Sequence, residues 1–109
     1  SDDVEIRDTA ARALGRMAES IPPGGMPDDQ RRAVVDKLHA LLAETNVGVR
    51  SKAVRSLGKL AKAGHLTGPE LETLAGACRR LLGQDESFEW DRAYVVRKEA
   101  EEALLYARD

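Results

Sequence analysis

Apolar residues recur at three- and four-residue steps in five stretches of the chain, with polar residues filling the positions between them. That spacing predicts five helices, each burying one face. The first runs from about Asp3 to Ser20 and carries Ile6, Ala10, Ala13, Leu14, Met17, Ala18 and Ile21 on its inner side. It stops at Pro22, Pro23, Gly24 and Gly25, which cannot continue a helix. The second opens at Pro27, has Asp28 and Asp29 at its positive end, and reaches about Glu44 with Val34, Val35, Leu38, Leu41 and Leu42 inward. Arg31, Arg32, Asp36 and Lys37 fall on or beside its solvent side. Thr45 and Asn46 supply a turn and a cap for the third, Val47 to about Ala63, which Gly64 ends. Thr67 with Glu70 three residues on is a capping box for the fourth helix, flanked by Leu66 and Leu71. Its stripe is Leu71, Leu74, Ala75, Cys78, Leu81 and Leu82, ending at Gly83. The fifth runs from about Arg92 to Ala107 with Val96, Ala100, Ala103, Leu104 and Ala107 inward.

Three of these helices are copies of one another. Sliding the first so that Arg7 lies on Arg50 also puts Ile6 on Val49, Ala10 on Ala53, Leu14 on Leu57 and Gly15 on Gly58. Sliding Arg50 onto Arg97 likewise superposes Val49 on Val96, Ala53 on Ala100, Ser56 on Ala103 and Leu57 on Leu104. Self-similarity at a period of about 45 residues is the mark of a helical repeat array, in which each unit buries its apolar face against its neighbours. Glycine inside a helix costs about 1 kcal/mol, so Gly15 and Gly58 predict close approach of a neighbouring helix. The second interval is longer because Gln84 to Asp91 replaces a short turn. Phe88 and Trp90 lie in that insertion, and with Tyr94 and Tyr106 they complete the aromatic residues of the chain.

An antiparallel pair whose second helix opens on Val-Arg, followed by Ala and Leu-Gly, resembles the HEAT repeat, in particular the short bacterial form also found in phycobilisome-lyase-like proteins. The resemblance rests on IRDTAARALG at 6–15, VRSKAVRSLG at 49–58 and VRKEAEEALL at 96–105. It implies an all-α, right-handed α-solenoid segment of about five antiparallel helices. Residues 1–21 would be the second helix of a partial repeat, 27–64 a full repeat, and 67–109 a full repeat with the longer aromatic turn. It also implies a structural ladder in which an acid ahead of the Val-Arg pair meets an arginine of the same or the adjacent repeat. Glu44 and Asp91 are then the acids and Arg50 and Arg97 the arginines; Arg7 has Ser1 at the matching acidic position. The first helix lacks a first-helix partner, so the chain reads as a segment of a longer array or as one whose ends are adapted as caps.

Charge and composition narrow the function. Charged residues make up 33% of the chain in both signs and the net charge is −2, which argues against binding driven by bulk charge alone. A single cysteine, Cys78, excludes an internal disulfide or a multi-cysteine metal site, and its place in an apolar stripe marks it as a buried small residue. No apolar run reaches the roughly 20 residues that span a bilayer, and the opening SDDVE lacks the features of a signal peptide. Cytoplasm is the default location. His39 and His65 lack metal-ligand spacing, no serine or cysteine has an evident base beside it, and Gly24-Gly25 lacks the lysine of a phosphate loop. No catalytic, cofactor or metal residue is therefore assigned, and the chain is read as a non-enzyme.

What remains is the outward row of the repeated helices. Arg12 aligns with Arg55, Arg16 with Lys59 and Glu19 with Lys62, whereas the third copy has Glu102 and Tyr106. The resemblance places this row on a concave surface, so Arg12, Arg16, Arg55, Lys59 and Lys62 form a candidate basic strip. The expected function is a protein-interaction scaffold contacting an acidic or extended partner. The alternatives are nucleic-acid backbone binding by the same strip and, on resemblance alone, a lyase-like helper for a tetrapyrrole chromophore. The aromatic insertion is expected to close the C-terminal end of the stack, with Trp90 buried against the fourth and fifth helices. An exposed Trp90 would mark it instead as a partner-binding anchor.

Overall fold

The computed structural model describes residues 16, 20–87 and 89–107. Among them are four helices and no strand: α1 (Asp28–Leu41), α2 (Val47–Lys62), α3 (Gly68–Leu81) and α4 (Tyr94–Ala107). Arg16 and Ser20 are helical. The rest of the first expected helix, with Arg7, Arg12 and Gly15, lies outside the described residues.

Local signals place the helix ends. Asn46 caps α2 by accepting the Val49 N–H at 3.0 Å. Thr67 and Glu70 form the expected reciprocal box on α3, the Thr67 N–H reaching Glu70 Oε1 at 2.9 Å and the Glu70 N–H reaching Thr67 Oγ1 at 3.3 Å. At the other ends, Gly64 and Gly83 take positive φ of 79° and 73°. The next N–H groups, of His65 and Gln84, then bond back to the carbonyls of Leu60 and Arg79 and close both helices in the same way. Three boundaries differ from expectation. Pro27 is the N-cap of α1 rather than its first residue, since its ψ of 143° is extended. That helix ends at Leu41, because Leu42, Ala43 and Glu44 bond three residues back and tighten into a turn. Helix α4 starts at Tyr94 rather than Arg92, where the Asp91 side chain accepts the Ala93 N–H.

Each helix contributes the face its spacing requires. Leu38, Val49, Ala53, Leu57, Leu60, Val96 and Ala100 are wholly inaccessible, and Leu74, Cys78 and Ala103 nearly so, in one continuous core. Burial pushes the Cys78 thiol up to about 12, with the nearby Arg79 charge opposing it only in part, so the sulfur behaves as an apolar group.

The most extensive helix contact joins α2 to α4, followed by α3 with α4. Gly58 permits the first. A Cβ added there would stand 3.1 Å from Ala103 Cβ and 3.2 Å from Ala103 Cα. Gly76 on α3 has nothing within 4 Å of the same added atom. The two glycines should therefore respond oppositely in urea unfolding. Gly76→Ala should stabilise by about 0.5–1 kcal/mol through helix propensity, while Gly58→Leu should destabilise by about 1–3 kcal/mol or more by forcing α2 and α4 apart.

Candidate functional site

The close approach at Gly58 leaves a groove of about 340 Å³ where α2 and α4 diverge toward solvent. Gly58 and Ala103 belong to its floor. Arg55, Lys59 and Lys62 come from α2; Lys98, Glu99, Glu102 and Tyr106 come from α4. These positions follow from helical spacing, since residues three and four apart share a face. A smaller hollow of about 90 Å³ adjoins it, lined by Arg16, Lys52, Arg55, Ser56 and Lys59. Arg55 and Lys59 border both.

The expected basic strip is thus assembled in part. Arg16, Arg55, Lys59 and Lys62 come together, and Arg12 lies outside the described residues. Lys52 and Lys98 join them unanticipated. Lys52 was legible as the residue one turn before Arg55, whereas Lys98 stands where the preceding copy has Ser51.

Arg55 and Lys62 each reach across the groove. Arg55 donates to Glu99 Oε2 through Nη2 at 2.7 Å and Nε at 3.1 Å, and this carboxylate raises its pKa further. The Arg55 charge is therefore largely committed within the fold. The Lys62 ammonium lies 5.5 Å from the centre of the Tyr106 ring, a cation–π contact that holds the tyrosine over the groove.

Arg50 ties the turn before its own helix to the loop before α4. Arg50 donates through Nε and Nη2 to the two carboxylate oxygens of Asp91, at 2.8 and 3.1 Å, and through Nη1 to the carbonyls of Glu44 and Thr45. Arg97 Nη1 donates to the Asp91 carbonyl at 2.8 Å, as Arg50 does to that of Glu44. Glu44 therefore meets Arg50 through its main chain. Burial by itself would raise the Asp91 carboxyl. Its hydrogen bonds from Arg50 and from the Ala93 N–H, with the charges of Arg50 and Arg97, outweigh that and lower it.

Trp90 departs from the expected cap. The residue is 64% exposed, so it is not buried against the third and fourth helices of the structure. The backbone explains this. Residues Leu82 and Trp90 pair as an isolated antiparallel bridge, the Asp91 N–H bonds to the Leu81 carbonyl at 2.7 Å, and Trp90 Cβ would lie 3.2 Å from a Cβ on Gly83. The loop is pinned by its main chain, and the ring is left outside.

The two histidines read as helix-end and helix-flank residues occupy different surroundings. His65 is buried, at 5% exposure. His39 is half-buried with Nε2 lacking a hydrogen-bond partner among the described residues. Among the described residues no group of three His, Cys, Asp or Glu is placed to hold a metal, and no helix is long and apolar enough to cross a membrane. No family model, curated protein or solved structure matches the chain.

Burial lowers the His39 pKa from 6.5, the Arg80 charge lowers it further, and Asp36 opposes both. The unfolded chain thus binds a proton that the folded chain resists. Stability should be fully present above the unfolded value and fall as pH drops through the window just below 6.5. Urea midpoints measured between pH 7.5 and 5.5 should show this loss, and His39→Gln should reduce its slope.

Proposed function

We propose that the chain is a HEAT-like, right-handed solenoid segment of five helices that acts as a non-catalytic protein-interaction scaffold, with the groove between α2 and α4 receiving an extended acidic segment. The observation that carries this reading is the asymmetry of the groove walls. With Arg55 and Glu99 paired across the groove, the charge on the α2 wall is that of Lys59 and Lys62, while α4 sets Glu102 beside Lys98 and Tyr106. A side chain carboxylate fits beside the lysines, and the half-buried Tyr106 offers apolar contact next to it.

The same asymmetry weighs against a nucleic-acid strand. A phosphate backbone brings a charge at every step and would run along Glu102 as well as the lysines. A peptide can place acidic and basic residues alternately and satisfy both walls.

Fluorescence anisotropy separates the two. A labelled peptide that alternates Asp or Glu with Lys should bind at low salt, and the double variant Lys59→Glu with Lys62→Glu should weaken it by about tenfold or more while the helical circular dichroism is kept. Labelled duplex and single-stranded oligonucleotides should bind more weakly than the peptide. Tighter oligonucleotide binding with a steep salt dependence would replace the scaffold reading with the nucleic-acid one.

A further inference from the structure

Arg97 occupies in α4 the place that Arg50 occupies in α2, but its side chain makes one hydrogen bond among the described residues where that of Arg50 makes four. Arg50 uses Nη1 for turn carbonyls and turns Nε and Nη2 on the Asp91 carboxylate. Arg97 repeats the first contact, to the carbonyl of Asp91, six residues earlier. Its Nε and Nη2 have no hydrogen-bond acceptor among the described residues. The guanidinium lies instead 5.6 Å from the ring centre of Trp90 and 5.9 Å from that of Tyr94, residues that are 64% and 68% exposed.

We propose that Arg97, Trp90 and Tyr94 form a receptor for one Asp or Glu carboxylate carried on an extended segment of a partner protein. The pairing of Arg50 with Asp91 in this same structure shows which chemistry the open fork accepts: two parallel N–H donors match two carboxylate oxygens. A cation–π contact uses the charge of the guanidinium rather than its N–H donors, so these contacts place Arg97 without filling Nε or Nη2. Two exposed aromatic side chains beside it offer apolar surface for the residues flanking the carboxylate, the composition of a binding anchor.

The segment is extended because the face of α4 does not suit another helix. On α2, Gly58 is buried against Ala103 of α4, and Val54 and Ser51, one and two turns before it, are buried as well. In the superposition of the two copies, Lys98, Glu101 and Leu105 stand at those places, all of them exposed. A helix approaching Leu105 as Ala103 approaches Gly58 would collide with the leucine and bury two charges. A single strand of chain crossing Arg97 meets neither obstacle. This site is separate from the lysine groove and does not depend on the function proposed for it.

The chain has one tryptophan, so its indole resonance reports on the site directly. The probe is the peptide acetyl-Ala-Leu-Asp-Leu-Ala-amide, titrated into the isotope-labelled chain while the Trp90 indole and Arg97 Nε–H signals are followed by NMR. Both signals should move together and approach saturation at about millimolar peptide, as one carboxylate contact with apolar flanks warrants. The matching peptide with Asn in place of Asp should shift them several-fold less, and Arg97→Gln should abolish the response. The Lys59→Glu, Lys62→Glu variant should keep it. Equal shifts with both peptides, no shift at all, or loss of the response in the lysine variant would each overturn the proposal. The comparison of the two peptides needs no variant, so it stands even where Arg97→Gln fails to fold.

Discussion

A half-buried guanidinium joins the two helix pairs. Arg50 projects from the first turn of α2, reaches back to the two carbonyls of its own interhelical turn, and spans to Asp91 at the start of the next pair. Such a charge is costly to desolvate unless each donor has an acceptor. Here the acceptors are supplied by a turn whose geometry the short α1 helix sets and by a loop whose geometry Gly83 sets. Both side chains of the pair are largely covered, 16% and 8% exposed, so the geometry of their bond fixes the spacing of the elements that carry them.

That joint explains why the loop before α4 holds its course despite its exposed aromatic residue. The Asp91 N–H is bound by the Leu81 carbonyl, its carboxylate takes the Ala93 N–H as well as Arg50, and its carbonyl takes Arg97. One aspartate closes the end of α3, opens α4 and ties both to α2. A second joint lies between the other two helices, where Arg31 Nε donates to Glu70 Oε1 at 2.9 Å while Glu70 also completes the capping box. With α2 and α4 held in register, Gly58 meets Ala103, and the groove above them follows from that contact.

Signals confined to a few neighbouring residues were legible in the sequence. The Thr67–Glu70 box, the stops at Gly64 and Gly83 and the inward stripes all depend on contacts within one turn or one helix face, which spacing encodes. Gly58 was legible because a glycine in mid-helix has a cost that something must offset. Partner choice across the fold was not. Arg31 reads from its spacing as a solvent-side residue, yet its side chain is 12% exposed and bound to Glu70. Arg55 reads as open to a partner, yet is paired with Glu99. In both cases the partner lies more than 35 residues away, at separations of 39 and 44, and is chosen by helix packing. Trp90 shows the same gap from the other side. Its apolar character favours burial, but the main-chain bonds of Leu81 and Leu82 to the loop decide where its ring points.

A double-mutant cycle on Arg50 and Asp91 tests the joint most directly. Unfolding free energies of the chain, of Arg50→Gln, of Asp91→Asn and of the double variant, measured near pH 7, should give a coupling of about 1.5–3 kcal/mol between the two residues. The lowered Asp91 pKa places its stabilising contribution above the ordinary carboxylate value of 3.8, to be lost as pH falls through the folded value. A coupling below about 0.5 kcal/mol, within the range of independent sites, would contradict the role given to this pair.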